Sequence, residues 1–283
     1  MIPVAFDYEV AESVDHAIEL LGQHGDESKL LAGGHSLIPI MRLRLAAPTV
    51  LIDLGRLEEL RYVRDEGDHL AIGALTRHRD LLFNDLIKEH CGIVGYTAGL
   101  LGDPSVQHRG TMGGTLAHGD SSGDMPSVIT ALEGEIVIQG PDGERTLKAA
   151  DFFQDYMMTD LGEQEVVTEV RLPKLSSDVG WSYKKFARRS QDWATVGVAA
   201  VVERSNGSIN SARIALTAMG ATPLRASAVE QALSGASADA VAEASESADE
   251  GTSPASDDAA SAEFRRHLAR VWTRRAVEEA LSR

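Results

Sequence analysis

The N-terminal hydrophobic pattern changes between the period of a helix and the short runs of buried strands. From Val14 to about His24, apolar residues recur every three or four positions, as in a helix with one buried side. Ser13 is suited to cap this helix, because its hydroxyl can accept a backbone N–H. Apolar runs at 29–32 and 49–54 predict two strands. Residues 1–55 are therefore predicted to form a small α/β unit.

Residues 56–174 carry a mixture of strand and helix patterns, with turn residues between them. A Pro-Asp-Gly sequence between two β-prone runs predicts a hairpin. The predicted strands lie at 69–74, on both sides of that hairpin within 135–146, and at 166–172. The predicted helices lie at 92–101 and at 124–133, the second beginning at Pro126.

The pattern of residues 175–283 predicts three strands followed by helices. The strands are predicted at 181–187, 196–203 and 211–218, with a tight turn at 205–208, and the helices at 228–234 and 262–281. The stretch 235–261, rich in Ala, Ser, Asp and Glu, is predicted to be a solvated helix or a flexible excursion. The chain is thus predicted to be α+β, with subdomains 1–55 and 56–174 in one domain (1–174). The second domain, 175–283, is predicted to hold a three-stranded antiparallel sheet.

Composition excludes several classes of function. The net charge of −16, from 27 basic and 43 acidic residues, is opposite to that of a nucleic-acid-binding surface. The acidity fits a well-solvated surface, a docking surface for a cationic partner or adaptation to high salt. Cys91 is the only cysteine, so this chain alone can hold neither a disulfide nor an iron–sulfur cluster. Cys91 is expected to be a small buried residue.

The N-terminus has no basic region followed by an apolar run, so no signal peptide is expected. No apolar stretch reaches the length of a membrane span. We therefore expect a soluble, cytoplasmic protein.

Two glycine-rich segments, 31–37 and 110–118, carry the main chemical signal. Paired glycines can expose successive backbone N–H groups, which form a concave site for anions. Two such segments can hold one diphosphate from two sides. Neither has the spacing of a Rossmann fingerprint or a P-loop, and Gly33-Gly34 equally fits a tight strand-to-helix turn. The second segment adds threonines and two nearby carboxylates, Asp120 and Asp124, which suit phosphate and sugar hydroxyls.

Six stretches carry a resemblance to a known family: 32–45, 72–76, 102–120, 183–194, 213–220 and 263–269. In order and spacing, over nearly the whole chain, they resemble the FAD-binding subunit of the molybdenum hydroxylases. This family includes the medium subunit of aerobic carbon monoxide dehydrogenase and the FAD-binding subunit of xanthine dehydrogenase. The sequence departs mildly from the family pattern at Met112 and Gly119.

The resemblance implies an FAD domain of the vanillyl-alcohol-oxidase (PCMH) type and assigns site residues. The residues implied to surround the FAD diphosphate are Ala32, Gly33, Gly34, His35, Ser36, Leu37, Thr111, Met112, Gly113, Gly114 and Thr115. Asp124 is implied to bind ribityl or ribose hydroxyls, although it can also cap a helix before Pro126. The main chain near Leu161 is implied to touch the isoalloxazine ring. Lys185 is implied to lie near its pyrimidine edge, with Lys184 as a rival and a solvated surface lysine as the alternative.

His35 has two possible roles. In related flavin oxidases a histidine in a similar setting is bonded covalently to FAD, whereas in the molybdenum hydroxylases the flavin is not covalently bound. We adopt the second role, in which His35 contacts the diphosphate. A metal site of His108, His118, Asp120 and Asp124 fits no standard ligand spacing, so no metal is predicted. No catalytic acid or base is predicted either.

The resemblance also implies partners. A large subunit would carry molybdopterin, a small subunit would carry two 2Fe–2S clusters, and the assembly would be a dimer of heterotrimers. This chain would pass electrons from a cluster to an external acceptor such as a quinone. The alternatives are a self-contained flavin oxidase with covalent FAD, which the short C-terminal part disfavours, and a non-catalytic FAD-binding or assembly protein.

Overall fold

The structure is a computed structural model that describes residues 1–283, and its N-terminal part is a parallel sheet. The strands are β1 (Asp7–Val10), β2 (Ser28–Leu31) and β3 (Val50–Asp53), in the order β1-β3-β2. Helix α1 (Val14–His24) begins as predicted, because the Ser13 hydroxyl accepts the His16 N–H at 3.0 Å. Helix α2 (Leu37–Arg42) follows β2 after a short turn.

The second sheet is five-stranded and antiparallel. Its strands are β4 (Val63–Asp65), β5 (His69–Gly73), β6 (Glu135–Gly140), β7 (Gly143–Lys148) and β10 (Val166–Pro173). Between β7 and β10 in the chain, β8 (Phe153–Asp155) and β9 (Met158–Thr159) form a separate two-stranded sheet. The order in the sheet is β4-β5-β10-β6-β7, so the predicted Pro-Asp-Gly hairpin is present as β6–β7.

Short helices cover one side of this sheet. They are α3 (His78–Phe83), α4 (Asp85–His90), α5 (Gly92–Leu100), α6 (Pro104–Arg109), α7 (Met112–His118), α8 (Asp124–Ala131) and α9 (Ala149–Phe152). Single 3₁₀ turns lie at Gly25–Glu27 and Glu58–Leu60. The second glycine-rich segment is therefore mostly helix α7 and not an open loop.

The C-terminal part is a four-stranded antiparallel sheet with helices on one face. The strands, in sheet order, are β11 (Val179–Phe186), β12 (Val196–Ser205), β13 (Ser208–Thr217) and the two-residue β14 (Leu224–Arg225), which extends the predicted three strands. The helical elements are α10 (Ser227–Leu233), α11 (Val241–Ala244), α12 (Ala262–Ser282) and the 3₁₀ turns Ala238–Ala240 and Ser245–Ser247.

The C-terminal sheet is buried on both faces. Tyr183 and Val201 belong to the core of the central unit, whereas Val198 and Leu216 pack with α10 and α12. The stretch 235–261 was predicted to be a solvated helix or a flexible excursion. It is helical over residues 238–247 and mostly exposed, but it is not solvated on all sides. Val241, Ala244 and Ala248 within it are buried in the C-terminal core. Alanine is too small for a clear hydrophobic period, so the pattern did not reveal this packing.

Cys91 is buried, as expected, and burial raises the pKa of its thiol to about 12. No helix combines the length and the apolar character that crossing a bilayer requires.

Candidate functional site

The turn between β2 and α2 presents a row of free backbone donors. None of the N–H groups of Ala32, Gly33, Gly34, His35, Ser36 and Leu37 donates to a protein acceptor. Gly34 has a φ of 75°, which lets the chain reverse direction at the end of the strand. The prediction that the first glycine-rich segment leaves its backbone N–H groups free is confirmed. Such a row stabilises an anion.

A groove of about 280 Å³ runs along this turn. The residues that line it are Gly33, Gly34, His35, Ile38, Pro39 and Arg42. His35 and Ser36 are exposed, and the Ser36 hydroxyl makes no capping bond to α2. The turn therefore offers main-chain N–H groups, an imidazole, a hydroxyl and a guanidinium to a ligand.

The second glycine segment uses its N–H groups within the protein. Met112 N–H donates to the Thr76 carbonyl at 3.0 Å and Gly113 N–H to the Ala74 carbonyl at 2.8 Å. Gly114 N–H donates to the Thr111 hydroxyl at 3.2 Å, and Thr115 N–H to the Thr111 carbonyl at 3.0 Å. The expectation of a second row of exposed N–H groups is therefore wrong for Met112–Thr115. Thr76 and Ala74 accept the first two N–H groups, and Thr111, which caps α7, accepts the other two.

The two segments nevertheless lie against each other. A Cβ atom at Gly33 would overlap the Arg109 carbonyl oxygen and lie 3.0 Å from the Gly110 Cα. A Cβ at Gly114 would lie 3.8 Å from the Ala32 Cβ. A single ligand on the row of free donors can therefore also reach the start of α7.

His78 supports this second segment, and nothing in the sequence analysis singled it out. Its side chain is buried, and Nε2 lies 2.9 Å from the Thr115 hydroxyl oxygen. Burial lowers the pKa of His78 to about 4, so the imidazole is neutral at pH 7. His78 and Thr115 are 37 positions apart, so only the fold joins them.

Asp124 is the centre of a buried polar cluster. Its Oδ1 accepts the Tyr183 hydroxyl at 2.6 Å, and its Oδ2 accepts the Lys185 ammonium at 2.8 Å. Burial raises the pKa of Asp124, against the opposing effects of Lys185 and Tyr183. The alternative role of Asp124 as a helix cap is wrong, because α8 begins at Asp124 itself and Gly123 occupies the capping position.

The strand period separates Lys184 from Lys185. Successive side chains of β11 point to opposite faces. Lys184 forms an ion pair with Glu279 of α12 on the helix-covered face. Lys185 points to the other face, where its side chain is only 8% exposed and reaches Asp124. The reading of Lys185 as a solvated surface lysine is therefore wrong.

The Asp124 cluster lies where the central and C-terminal parts meet. Tyr183 OH is 3.3 Å from the Thr217 hydroxyl oxygen, which is 2.5 Å from that of Ser127. Burial raises the pKa of Tyr183 well above its usual value, so it stays a donor. Residues from both parts therefore fix the geometry of the Asp124–Lys185 pair.

Leu161 is partly buried, and neither its N–H nor its C=O has a protein partner. The neighbouring N–H groups do have partners. Asp160 N–H donates to the Phe152 carbonyl, and Gly162 N–H donates to the Glu165 carboxylate. The main chain at Leu161 is thus free to bind a ligand. His108, His118, Asp120 and Asp124 do not form a group that could hold a metal ion.

Family models match both parts of the chain. Residues 4–175 match the FAD binding domain in molybdopterin dehydrogenase, and residues 181–280 match the CO dehydrogenase flavoprotein C-terminal domain. The chain belongs to the FAD-binding subunits of the molybdopterin dehydrogenases. It is therefore an oxidoreductase subunit whose cofactor is FAD, and the predicted fold class and family are confirmed.

Relatives of this FAD-binding subunit match along its full length. It is 40% identical to the carbon monoxide dehydrogenase medium chain of Hydrogenophaga pseudoflava, covering 100% of this chain and 99% of that one. It is 36% identical to the nicotine 6-hydroxylase medium subunit of Paenarthrobacter nicotinovorans, covering 99% and 98%.

Solved structures share the fold. The carbon monoxide dehydrogenase from Hydrogenophaga pseudoflava, in a form that lacks the Mo-pyranopterin moiety of the molybdenum cofactor, has a chain with a TM-score of 0.98 and 42% identity. That match covers 100% of this chain and 99% of the other. Quinoline 2-oxidoreductase from Pseudomonas putida 86 gives a TM-score of 0.95 at 31% identity, covering 100% and 99%.

Proposed function

We propose that this chain is the FAD-carrying electron-transfer subunit of a molybdenum hydroxylase of the carbon monoxide dehydrogenase type. In this proposal it takes electrons from the 2Fe–2S clusters of a small partner subunit. It passes them to an external acceptor such as a quinone. A large molybdopterin subunit oxidises the substrate, and the complex is a cytoplasmic dimer of heterotrimers. Residues 1–174 form the FAD domain and 175–283 the C-terminal domain.

The row of free N–H groups from Ala32 to Leu37 is the observation that carries this proposal. Two linked phosphates are the part of FAD with the highest negative charge, and a row of N–H donors is complementary to them. In this arrangement His35 and Ser36 contact the diphosphate from the exposed side of the turn. The start of α7 contributes the hydroxyls of Thr111 and Thr115 and, at Gly114, a surface without a side chain.

The Asp124–Lys185 pair fits the flavin end of the cofactor. Asp124 keeps acceptor capacity for a ribityl or ribose hydroxyl, because each carboxylate oxygen accepts more than one hydrogen bond. Lys185 supplies a positive charge at the pyrimidine edge, with the free main chain of Leu161 against the ring. FAD, when bound, supplies the redox chemistry, and a cation near its pyrimidine edge favours the reduced, anionic form. No side chain of this chain acts as an acid or base on the substrate.

The single buried cysteine supports the division of labour between subunits. Cys91 is buried, and an iron–sulfur cluster needs several cysteine ligands, so this chain alone cannot hold one. The proposal therefore assigns the iron–sulfur clusters to a partner. The relatives support it too. Relatives at 34–40% identity are subunits of enzymes named for carbon monoxide, nicotine, glyceraldehyde and caffeine. Such different substrates on one subunit type favour substrate selection elsewhere in the complex.

The first test is the visible spectrum of the purified chain after reconstitution with FAD, before and after acid precipitation. We expect a flavin spectrum whose colour moves to the supernatant. Colour that stays in the pellet would show a covalent bond, with His35 as its first candidate, and would favour a self-contained oxidase. A chain that binds no flavin would contradict both functions.

The role of Lys185 can be tested separately. The double variant Asp124→Asn with Lys185→Met removes both charges, so that no buried charge is left without a partner. We expect the reduction potential of bound FAD to be lower than in Asp124→Asn alone, because these two chains differ only in the Lys185 cation. Lys184→Met is the matched control, and its flavin potential should equal that of the wild type. A potential that falls only in the Lys184 variant would assign the role to Lys184.

A further inference from the structure

We propose that His78 is a positioning residue for the FAD diphosphate. Its Nε2–H donates to the Thr115 hydroxyl oxygen and so leaves the Thr115 proton free to donate to a phosphate oxygen. This inference rests on the proposed function. It adds a residue beneath the binding surface that sets whether the Thr115 hydroxyl can donate a hydrogen bond to the ligand.

The position of His78 is closely fixed. The side chain is at most 2% exposed, and its backbone N–H donates to the Gly110 carbonyl at 3.1 Å. A Cβ at Gly110 would lie 2.9 Å from the imidazole Cδ2. The imidazole therefore occupies the space that a side chain at Gly110 would need, so it packs directly against the segment that leads into α7.

The two neutral tautomers of His78 have different consequences. The Thr115 hydroxyl is the only protein partner of the ring, and Nδ1 has none. With the proton on Nδ1, a buried N–H would lack an acceptor. With the proton on Nε2, only a lone pair lacks a donor, and buried structures tolerate an unused acceptor better than an unused N–H. The geometry therefore favours the Nε2–H tautomer.

This tautomer determines the direction of the Thr115 hydroxyl. A hydroxyl has one proton and two lone pairs. When Thr115 Oγ1 accepts from His78, its own proton has no acceptor within the protein, since His78 is its only partner. Thr115 is half-buried at the start of α7, next to the row of free N–H groups. The free proton therefore adds one more donor to a site already built from donors.

The test measures the Kd of FAD by fluorescence for the full-length chain and its variants. We expect Thr115→Val to weaken FAD binding by about tenfold, the size expected for one hydrogen bond to a charged group. His78→Phe should weaken it by between about threefold and tenfold, because the Thr115 hydroxyl keeps its proton but is no longer oriented. The double variant should bind no more weakly than Thr115→Val alone, because His78 acts on the ligand only through the Thr115 hydroxyl. His78→Gln should bind within about threefold of wild type, since its amide nitrogen can replace Nε2–H.

A purely structural role for His78 predicts a different pattern. The losses in Kd would then multiply in the double variant, and His78→Gln would not restore binding. Either result would overturn the proposal. Thr97→Val is the control, because Thr97 is also a buried threonine and its hydroxyl has no partner. Its Kd should be unchanged.

If His78→Phe does not fold, the pair His78→Gln and His78→Asn replaces it. The shorter asparagine places its amide near the Nδ1 position and cannot reach Thr115, so only this variant should lose affinity. Equal affinities for the two would contradict the proposal. A wild-type chain that does not bind FAD would instead refute the proposed function.

Discussion

The turn at 32–37 and the segment at 111–115 each contain a Gly-Gly pair beside hydroxyl side chains, but they use their backbone differently. In the first, every N–H from Ala32 to Leu37 is free. In the second, the N–H groups of Met112 to Thr115 are all bonded within the protein. The first segment can therefore bind an anion through its main chain, whereas the second must bind through side chains.

The glycines explain how two similar sequences reach these two states. Gly34 provides a left-handed turn that leaves donors uncovered. Gly113 instead allows close packing, since a Cβ there would lie 2.5 Å from the Ala74 Cβ. Gly33 has both roles, because it carries a free N–H and packs on Arg109. A glycine pair by itself therefore indicates either an exposed or a closely packed backbone.

The largest effect is expected for Gly33→Ala. The added methyl group overlaps a backbone carbonyl that cannot move independently, so we expect a loss of about 3 kcal/mol of unfolding free energy. FAD binding should be lost with it, because the row of donors is displaced. Urea unfolding of the apo-chain and FAD titration measure the two effects.

Gly113→Ala is the counterpart in the second segment. It should also destabilise the chain, by about 1–3 kcal/mol. The Kd of FAD should change less than in Gly33→Ala, because the Gly113 N–H is bonded within the protein and is not available to the ligand. A Gly113→Ala chain of wild-type stability that no longer binds FAD would contradict the distinction between the two segments.

The pH dependence of stability sharpens the comparison, because His78 lies beneath the second segment alone. Its pKa is about 4 in the folded chain, compared with 6.5 when unfolded, so the unfolded chain binds the proton more readily between these values. The contribution of neutral His78 to the unfolding free energy should therefore be complete above pH 6.5. It should be lost progressively as the pH falls from 6.5 to 4. The total is on the order of 3 kcal/mol.

Urea unfolding of the wild type and of His78→Gln across pH 4–7 measures this contribution. The difference in unfolding free energy between the two chains should increase with pH over that range. A constant difference would show that His78 titrates normally in the folded chain.

The smallest effect is expected for Gly34→Ala, at about 1–2 kcal/mol, from the positive φ. Gly25→Ala is the control for a positive φ away from the site, since Gly25 has a φ of 54° and no atom within 4 Å of an added Cβ. The two losses of stability need not be equal, because a Cβ at Gly34 would also lie 3.2 Å from Ile38 Cγ1 and 3.3 Å from Leu31 Cδ1. Only Gly34→Ala should weaken FAD binding. Equal FAD affinities would show that the conformation of Gly34 does not set the row of donors.

Much of the local structure followed from sequence. The Ser13 cap, the period of α1 and the β6–β7 hairpin depend on residues close together in the chain, which sequence reading can assess. The first glycine turn was predicted for the same reason. The packing of 235–261 and the state of the second glycine segment were not. The alanine-rich stretch lacks a clear period, and the acceptors for Met112 and Gly113 come from Thr76 and Ala74, in another part of the chain.

The sequence by itself determined the longer strands and helices, the two glycine segments and the resemblance that names the family, because these depend on local composition and on motifs in order. Short elements such as β1 and β4 were not predicted. Only the tertiary structure decided which lysine of the Lys184–Lys185 pair meets Asp124, which glycine segment keeps its donors free and that His78 lies under Thr115. These outcomes depend on which face of a strand is covered and on contacts between residues far apart in the chain. Local patterns carry no information about such contacts until the sheets have packed.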